Sequence, residues 1–212
     1  MGQRGQRENV AGLPILPVTT SPVARTGDTS FGTTMPPSTP RPTIRSATPD
    51  DAAALAELGR RTFTDAFGAD NAAHDLAMFL DATYGEALQR QELASPALTY
   101  FLAEHDGVLV AFALLRRDRP SRYVDDPTAV ELQRLYVDCA WHGTGLAQAL
   151  MAHCLHHATA GGAGALFLGV WERNARALRF YAAQRFEPVG RQVFLVGSDP
   201  QTDIVMRRRL PR

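Results

Sequence analysis

Gly143 and Gly145 follow an apolar run that ends at Val137 and precede an apolar helical pattern from Leu146 onward. A strand that empties into a glycine-punctuated helix start is an anion-binding device. The first four N–H groups of a helix have no partner within it and stand at the positive end of its dipole. Glycine omits the Cβ atoms that would hold a phosphate or pyrophosphate away from those amides. Downstream, Asn174 and Tyr181 are seven residues apart, two helical turns, so both side chains can address one ligand. Cys139 lies near the loop; a thiol there could carry an acyl group, but a small apolar filler is the commoner fate. His153 and His157, with Cys154 and His156 beside them, have metal-ligand spacing but lack a carboxylate or a third placed ligand, so a solvated helix face and no metal are expected.

The elements that must position these groups read as one mixed α/β domain. A strand at 43–48 and capping chemistry at Pro49-Asp50-Asp51 lead into a helix over 52–67. Helical segments over 72–80 and 85–92 come next. Strands at 99–103 and 108–115 flank His105-Asp106-Gly107, an Asp-Gly hairpin signal. A strand at 129–137, a helix over 144–159, a strand at 165–171 and a helix over 174–184 follow. Strands at 188–196 and 202–208, joined by a turn around Gly197-Ser198-Asp199-Pro200, complete the pattern. Residues 1–41, rich in Gly, Pro, Thr, Ser and Arg without apolar periodicity, read as a disordered extension.

Composition excludes some partners. The 22 basic and 22 acidic side chains balance, so no net field draws in nucleic acid or an anionic membrane. No apolar stretch approaches the ~20 residues of a membrane helix, and no apolar segment follows Arg4 and Arg7. Two cysteines, Cys139 and Cys154, are too few for a disulfide framework. A cytoplasmic protein with free thiols is the expectation.

Two segments together carry a family resemblance: His142-Gly143-Thr144-Gly145-Leu146-Ala147, and the strand, Asn, helix with Phe180-Tyr181, then Phe186-Glu187. In this order they resemble the GNAT superfamily of acyl-CoA-dependent N-acetyltransferases, over about 42–210. The family's loop usually begins with Arg or Gln where His142 stands, although the loop works mainly through backbone amides. A Gly-x-Gly also opens dinucleotide-binding helices, but Gln148 occupies the place of their third Gly. The resemblance implies a mixed, largely antiparallel sheet and acetyl-CoA as cosubstrate. It implies His142 to Ala147 on the pyrophosphate, Leu135, Tyr136 and Val137 pairing with pantetheine through backbone exposed by a bulge, and Asn174 on the pantetheine arm, although the sequence supports an N-cap of the following helix about equally well. Val137 N–H would face the thioester oxygen, and Tyr181 would protonate the departing thiolate.

Glu131 matches the family position that takes a proton from the substrate ammonium, a step needed because free amines are mostly protonated near neutral pH. Strict alternation would put Glu131, Leu135 and Val137 on one face if no bulge intervenes; a charge pair with Arg134 or with a neighbouring strand is the plainer alternative. Within the superfamily, Arg61-Thr62-Phe63-Thr64-Asp65-Ala66-Phe67, the segments from Glu131 and Leu168, and Gln201-Thr202-Asp203-Ile204-Val205-Met206 resemble the PaiA group, associated with spermidine and spermine. Gln133 departs from an acidic residue frequent there. Asp65, Asp70, Asp75, Asp81 and Glu86 accumulate in the first helices and could attract a polycation or form a solvated acidic face. The expected acceptor is a small amine, polyamines among the candidates, in a monomer or homodimer; the rival is an acyl-CoA-binding regulatory module without turnover.

Overall fold

In a computed structural model, residues 41–211 are described. The extension expected over 1–41 lies outside them except for Arg41. Seven strands form one sheet in the order β1-β2-β3-β4-β5-β7-β6: β1 Thr43–Ser46, β2 Leu98–His105, β3 Val108–Arg116, β4 Val130–Val137, β5 Ala165–Trp171, β6 Glu187–Val196 and β7 Asp199–Arg209. Five helices accompany it: α1 Ala52–Phe67, α2 Ala73–Thr83, α3 Glu86–Leu93, α4 Leu146–Ala160 and α5 Ala175–Ala183. Every neighbouring strand pair is antiparallel except β4 and β5. This is the mixed, largely antiparallel architecture expected of the sequence.

Local chemistry explains several boundaries. The first strand stops two residues earlier than its pattern suggests, because Thr48 donates its amide to Asp51 Oδ2 (2.7 Å) and opens a short 3₁₀ turn, Pro49–Asp51. In the β2–β3 hairpin both central residues, Asp106 (φ 49°) and Gly107 (φ 76°), are left-handed, as a two-residue type I′ turn requires. The last strand begins at Asp199, before the expected 202, and only Gly197 and Ser198 connect it to β6. Pro200 is tolerated within it because β5 pairs with β7 only from Asp203 onward, so no ladder bond is asked of its nitrogen there.

The ring contacts assign the two faces of the sheet. Phe63 of α1 lies 6.4 Å from Tyr136, which stacks on Phe112 at 5.3 Å. Phe67 meets Trp171 edge-on at 6.2 Å. On the other face, His153 and His157 of α4 set their edges against Phe101 at 4.6 and 5.1 Å. The expectation of a solvated helix face is thus corrected at those two histidines, whose rings complete an apolar contact with the sheet.

Candidate active site

The parallel contact of β4 with β5 is two residues long, Val130 opposite Leu166 and Glu131 opposite Phe167. Beyond it the strands are no longer paired, so one edge of β4 from Leu132 to Val137 is turned to a cleft instead of a neighbour. A bulge accompanies the divergence. Leu114 faces Arg134 and Leu115 faces Leu132, which leaves Gln133 as the extra residue.

At the end of β4 the chain is fastened before it reaches the glycines. Asp138 accepts from the Ala140 amide (3.0 Å) and pairs with Arg61 of α1 (2.8 Å). His142 Nε2 lies 2.9 Å from the Val137 carbonyl oxygen, and the Thr144 hydroxyl donates to the Trp141 carbonyl (2.8 Å). Gly143 (φ 77°) and Gly145 (φ 88°) are both left-handed, a backbone that costs any residue with a Cβ. Because Gly145 is the N-cap of α4, the helix starts at Leu146, two residues later than the periodicity suggests. A Cβ built on Gly145 would meet no atom within 4 Å, so the amides around it are approachable. Burial, with the Arg176 charge behind it, holds the His142 ring below its ordinary pKa. The imidazole is therefore mostly neutral near pH 7.

Tyr181 lies in α5 close to Cys154 of α4. It is fully buried, its hydroxyl has no hydrogen-bond partner, and its ring meets Phe186 edge-on at 5.7 Å. Burial drives its pKa well above that of free tyrosine, with the Cys154 sulfur nearby adding to the effect, so the hydroxyl keeps its proton. Cys154 is itself buried with its thiol pushed up, whereas Cys139 is exposed; both are free. Asn174 caps α5, its Oδ1 accepting from the Ala177 amide (3.0 Å).

Glu131 is on the other face. The bulge at Gln133 reverses the alternation, so Glu131 shares a side with Tyr136 instead of with Leu135 and Val137. Its Oε2 is buried without a partner; burial raises its pKa while Arg119 and Arg116 oppose the rise. Arg134 is not its counter-ion. That guanidinium is buried against Glu92 (2.8 Å) and Tyr100, with the Tyr84 ring 5.3 Å away.

Of the five carboxylates in and between the first helices, three are engaged within the protein. Asp75 accepts from the Ser198 amide and hydroxyl (both 2.7 Å), Asp81 pairs with Arg60 (2.9 Å), and Glu86 pairs with Arg90 (2.8 Å). Two groups that sequence reasoning passed over also stand out. Arg176, in the first turn of α5, buries both Nη atoms without a partner, and burial brings its pKa down to about 10. Asp203 of β7 is fully inaccessible with neither oxygen hydrogen-bonded. Alternation could place Asp203 on one side of β7, but not reveal which strand would seal it.

Comparison with known proteins supplies the remaining facts. The acetyltransferase (GNAT) family model matches residues 60–186. An uncharacterised N-acetyltransferase of Mycobacterium tuberculosis strain H37Rv is 38% identical over 160 residues, 76% of this chain and 98% of that protein. One from Lactobacillus delbrueckii subsp. lactis is 31% identical over 153 residues, covering 72% and 88%. Among solved structures, the PaiA N-acetyltransferase of Thermoplasma acidophilum in complex with coenzyme A has a TM-score of 0.65 at 16% identity, covering 79% of this chain and 98% of that one. A ribosomal-protein-alanine N-acetyltransferase of Brucella melitensis gives 0.64 at 22%, covering 79% and 99%.

Proposed function

Since the chain belongs to the acetyltransferase (GNAT) family, we propose that it moves an acetyl group from acetyl-CoA directly to a primary amine. The observation that carries this reading is the cleft. A strand loses its parallel neighbour after two pairs and ends in a left-handed glycine loop at a helix start, which suits a long thioester lying against strand backbone with its pyrophosphate on the loop. In that reading His142, Gly143, Thr144, Gly145, Leu146 and Ala147 hold the pyrophosphate. Leu135, Tyr136 and Val137 offer backbone to the pantetheine, Asn174 adds a contact from α5, and the Val137 N–H polarises the carbonyl. Tyr181, kept protonated by burial, supplies the proton to the departing thiolate. Glu131 is the carboxylate that the family resemblance nominates as base.

The finer reading of the acceptor is a polyamine, supported by the motif resemblance to the PaiA group and by Asp65 and Asp70 near the end of α1. The engagement of Asp75, Asp81 and Glu86 narrows that support. A cytoplasmic location is consistent with two free thiols, and no helix among the described residues is long and apolar enough to cross a membrane.

Release of free coenzyme A from acetyl-CoA, measured over spermidine, spermine, amino acids, aminoglycosides and short lysine peptides, tests the proposal. Turnover that collapses in Tyr181→Phe supports it and names the acceptor class. Tight acetyl-CoA binding without turnover on any amine would replace it by an acyl-CoA-binding regulatory module.

A further inference from the structure

Asp203 is a carboxyl group that the fold has buried and left unanswered. It is inaccessible, neither oxygen accepts a hydrogen bond, and no cation from β5, β6 or α1 acts on it, burial being the only cause that shifts its pKa to about 8. Contrast Arg134, equally deep, for which the chain provides Glu92 and Tyr100. Burying an ionisable group without a partner is unfavourable. Such a group is the kind that functional sites retain.

Its place in the sheet says what it could receive. Asp203 pairs with Trp171 on β5 and with Gln192 on β6. It lies over Gly169, where a Cβ would come within 2.9 Å of Asp203 Oδ2 and 2.7 Å of Gln192 Nε2. Trp171 packs against Phe67 of α1, so the carboxyl occupies the α1 face, opposite α4 and Tyr181. Counting from the last parallel pair, Glu131 with Phe167, Trp171 lies four residues further along β5. The same advance on β4, allowing for the extra residue Gln133, arrives at Leu135 to Val137. Asp203 is therefore level with the backbone assigned to the thioester, one strand beyond the seam, with β5 between them. Glu131 is not: three ladder steps short of Leu135 once the extra residue is discounted, it lies about 10 Å behind, at the closed vertex, and has Arg119 and Arg116 acting on it.

We propose that Asp203 receives the ammonium of the acceptor and takes the proton that this nitrogen must lose, the role the family resemblance gives to Glu131. The inference rests on the acetyl-transfer reading above. Asp203 holds a proton near pH 7 in the empty fold and releases it to solvent as the ammonium arrives beside it; one N–H bond of the ammonium then breaks and its proton passes to the Asp203 carboxylate. The neutral nitrogen forms a bond to the thioester carbonyl carbon, the C–S bond breaks, the thiolate takes the Tyr181 proton from the other face, and the nitrogen gives up its second proton to solvent as it becomes an amide. Both groups then return to their starting states by exchange with solvent. The acceptor enters from the α1–α2 connection, where Asn71 accepts from Gln201 Nε2 (2.7 Å) two residues along β7 from Asp203; the incoming amine displaces that contact.

The test uses the full chain, Asp203→Asn and Glu131→Gln, an alkylamine acceptor found in the panel, and hydroxylamine, whose nitrogen is already neutral at pH 7 and needs no deprotonation before it attacks. Asp203→Asn is expected to lower kcat on the alkylammonium by about a hundredfold or more. It should leave acetyl-CoA affinity by calorimetry within about threefold, and hydroxylamine turnover nearly intact. Glu131→Gln should lose about tenfold or less on either acceptor. Full activity in Asp203→Asn, or a loss that falls on hydroxylamine as heavily, overturns the proposal while leaving acetyl transfer standing. A wild-type chain that acetylates no amine overturns the functional reading, and this assignment with it.

Discussion

Replacing Gly145 by alanine separates two reasons for a glycine. At φ 88° the backbone is left-handed, and a Cβ there costs about 1–2 kcal/mol. For a domain of this size each kcal/mol lowers Tm by about 2–4 °C, so the ligand-free variant should melt several degrees lower. Nothing lies within 4 Å of the added Cβ, so no steric penalty is added in the ligand-free chain. If the loop carries the pyrophosphate, the methyl group projects into the ligand, and acetyl-CoA should bind at least tenfold more weakly, about 1.4 kcal/mol. Gly162→Ala is the control. It also has a positive φ (76°) and open space around the Cβ position, but at the far end of α4, so it should cost Tm and leave affinity unchanged. Calorimetric titration of both variants with acetyl-CoA reads the difference. A Gly145→Ala affinity within about threefold of wild type, alongside the expected fall in Tm, would refute the assignment of this loop to the pyrophosphate.

Arg176→Ala should weaken acetyl-CoA binding about tenfold at low salt and reduce its salt dependence, because a cation at the positive end of α5 without a protein partner is unfavourable until an anion arrives. Unchanged affinity in a salt series would show the guanidinium idle. Glu92→Leu strips the buried Arg134 of its carboxylate and should cost about 3–5 kcal/mol, read by urea unfolding; a loss below about 1 kcal/mol would mean that Tyr100 alone suffices. Asp203 titrates at about 8 in the fold but near the ordinary value of about 4 when unfolded. The folded chain therefore holds a proton that the unfolded chain has released between those values, and stability should decline as pH rises from about 4 to 8. Asp203→Asn should flatten that decline in thermal melts taken across the window.

The strands and helices were legible wherever one local rule decided them. Asp106-Gly107 forced its hairpin, the apolar run from Ala165 to Trp171 became β5, and the spacing from Ala52 to Phe67 became α1. The misplaced starts of α4 and β7 were set by a left-handed Gly145 and by a two-residue turn, both conformational matters invisible to periodicity. The candidate site was legible as far as it lay on one continuous segment, as in the loop from His142 to Ala147. Cross-strand facts were not. The bulge at Gln133 turns Glu131 to the opposite face from Leu135, and only strand register decides where such a residue falls. Arg134 found Glu92 on a helix 42 residues earlier, and Asp203 met Gly169 through a pairing that no linear pattern announces. The acidic run of the first helices showed the reverse error, since Asp75, Asp81 and Glu86 had local or distant partners that composition does not reveal.

The two-residue contact between β4 and β5 divides the sheet into two plates, β1 to β4 and β5 with β7 and β6, joined by little backbone hydrogen bonding. A bound thioester chain would act as a temporary eighth strand that laces the plates together. Amide hydrogen exchange should then slow on both sides of the seam when the ligand binds, at residues that never touch it, and the two plates should unfold more nearly as one cooperative unit.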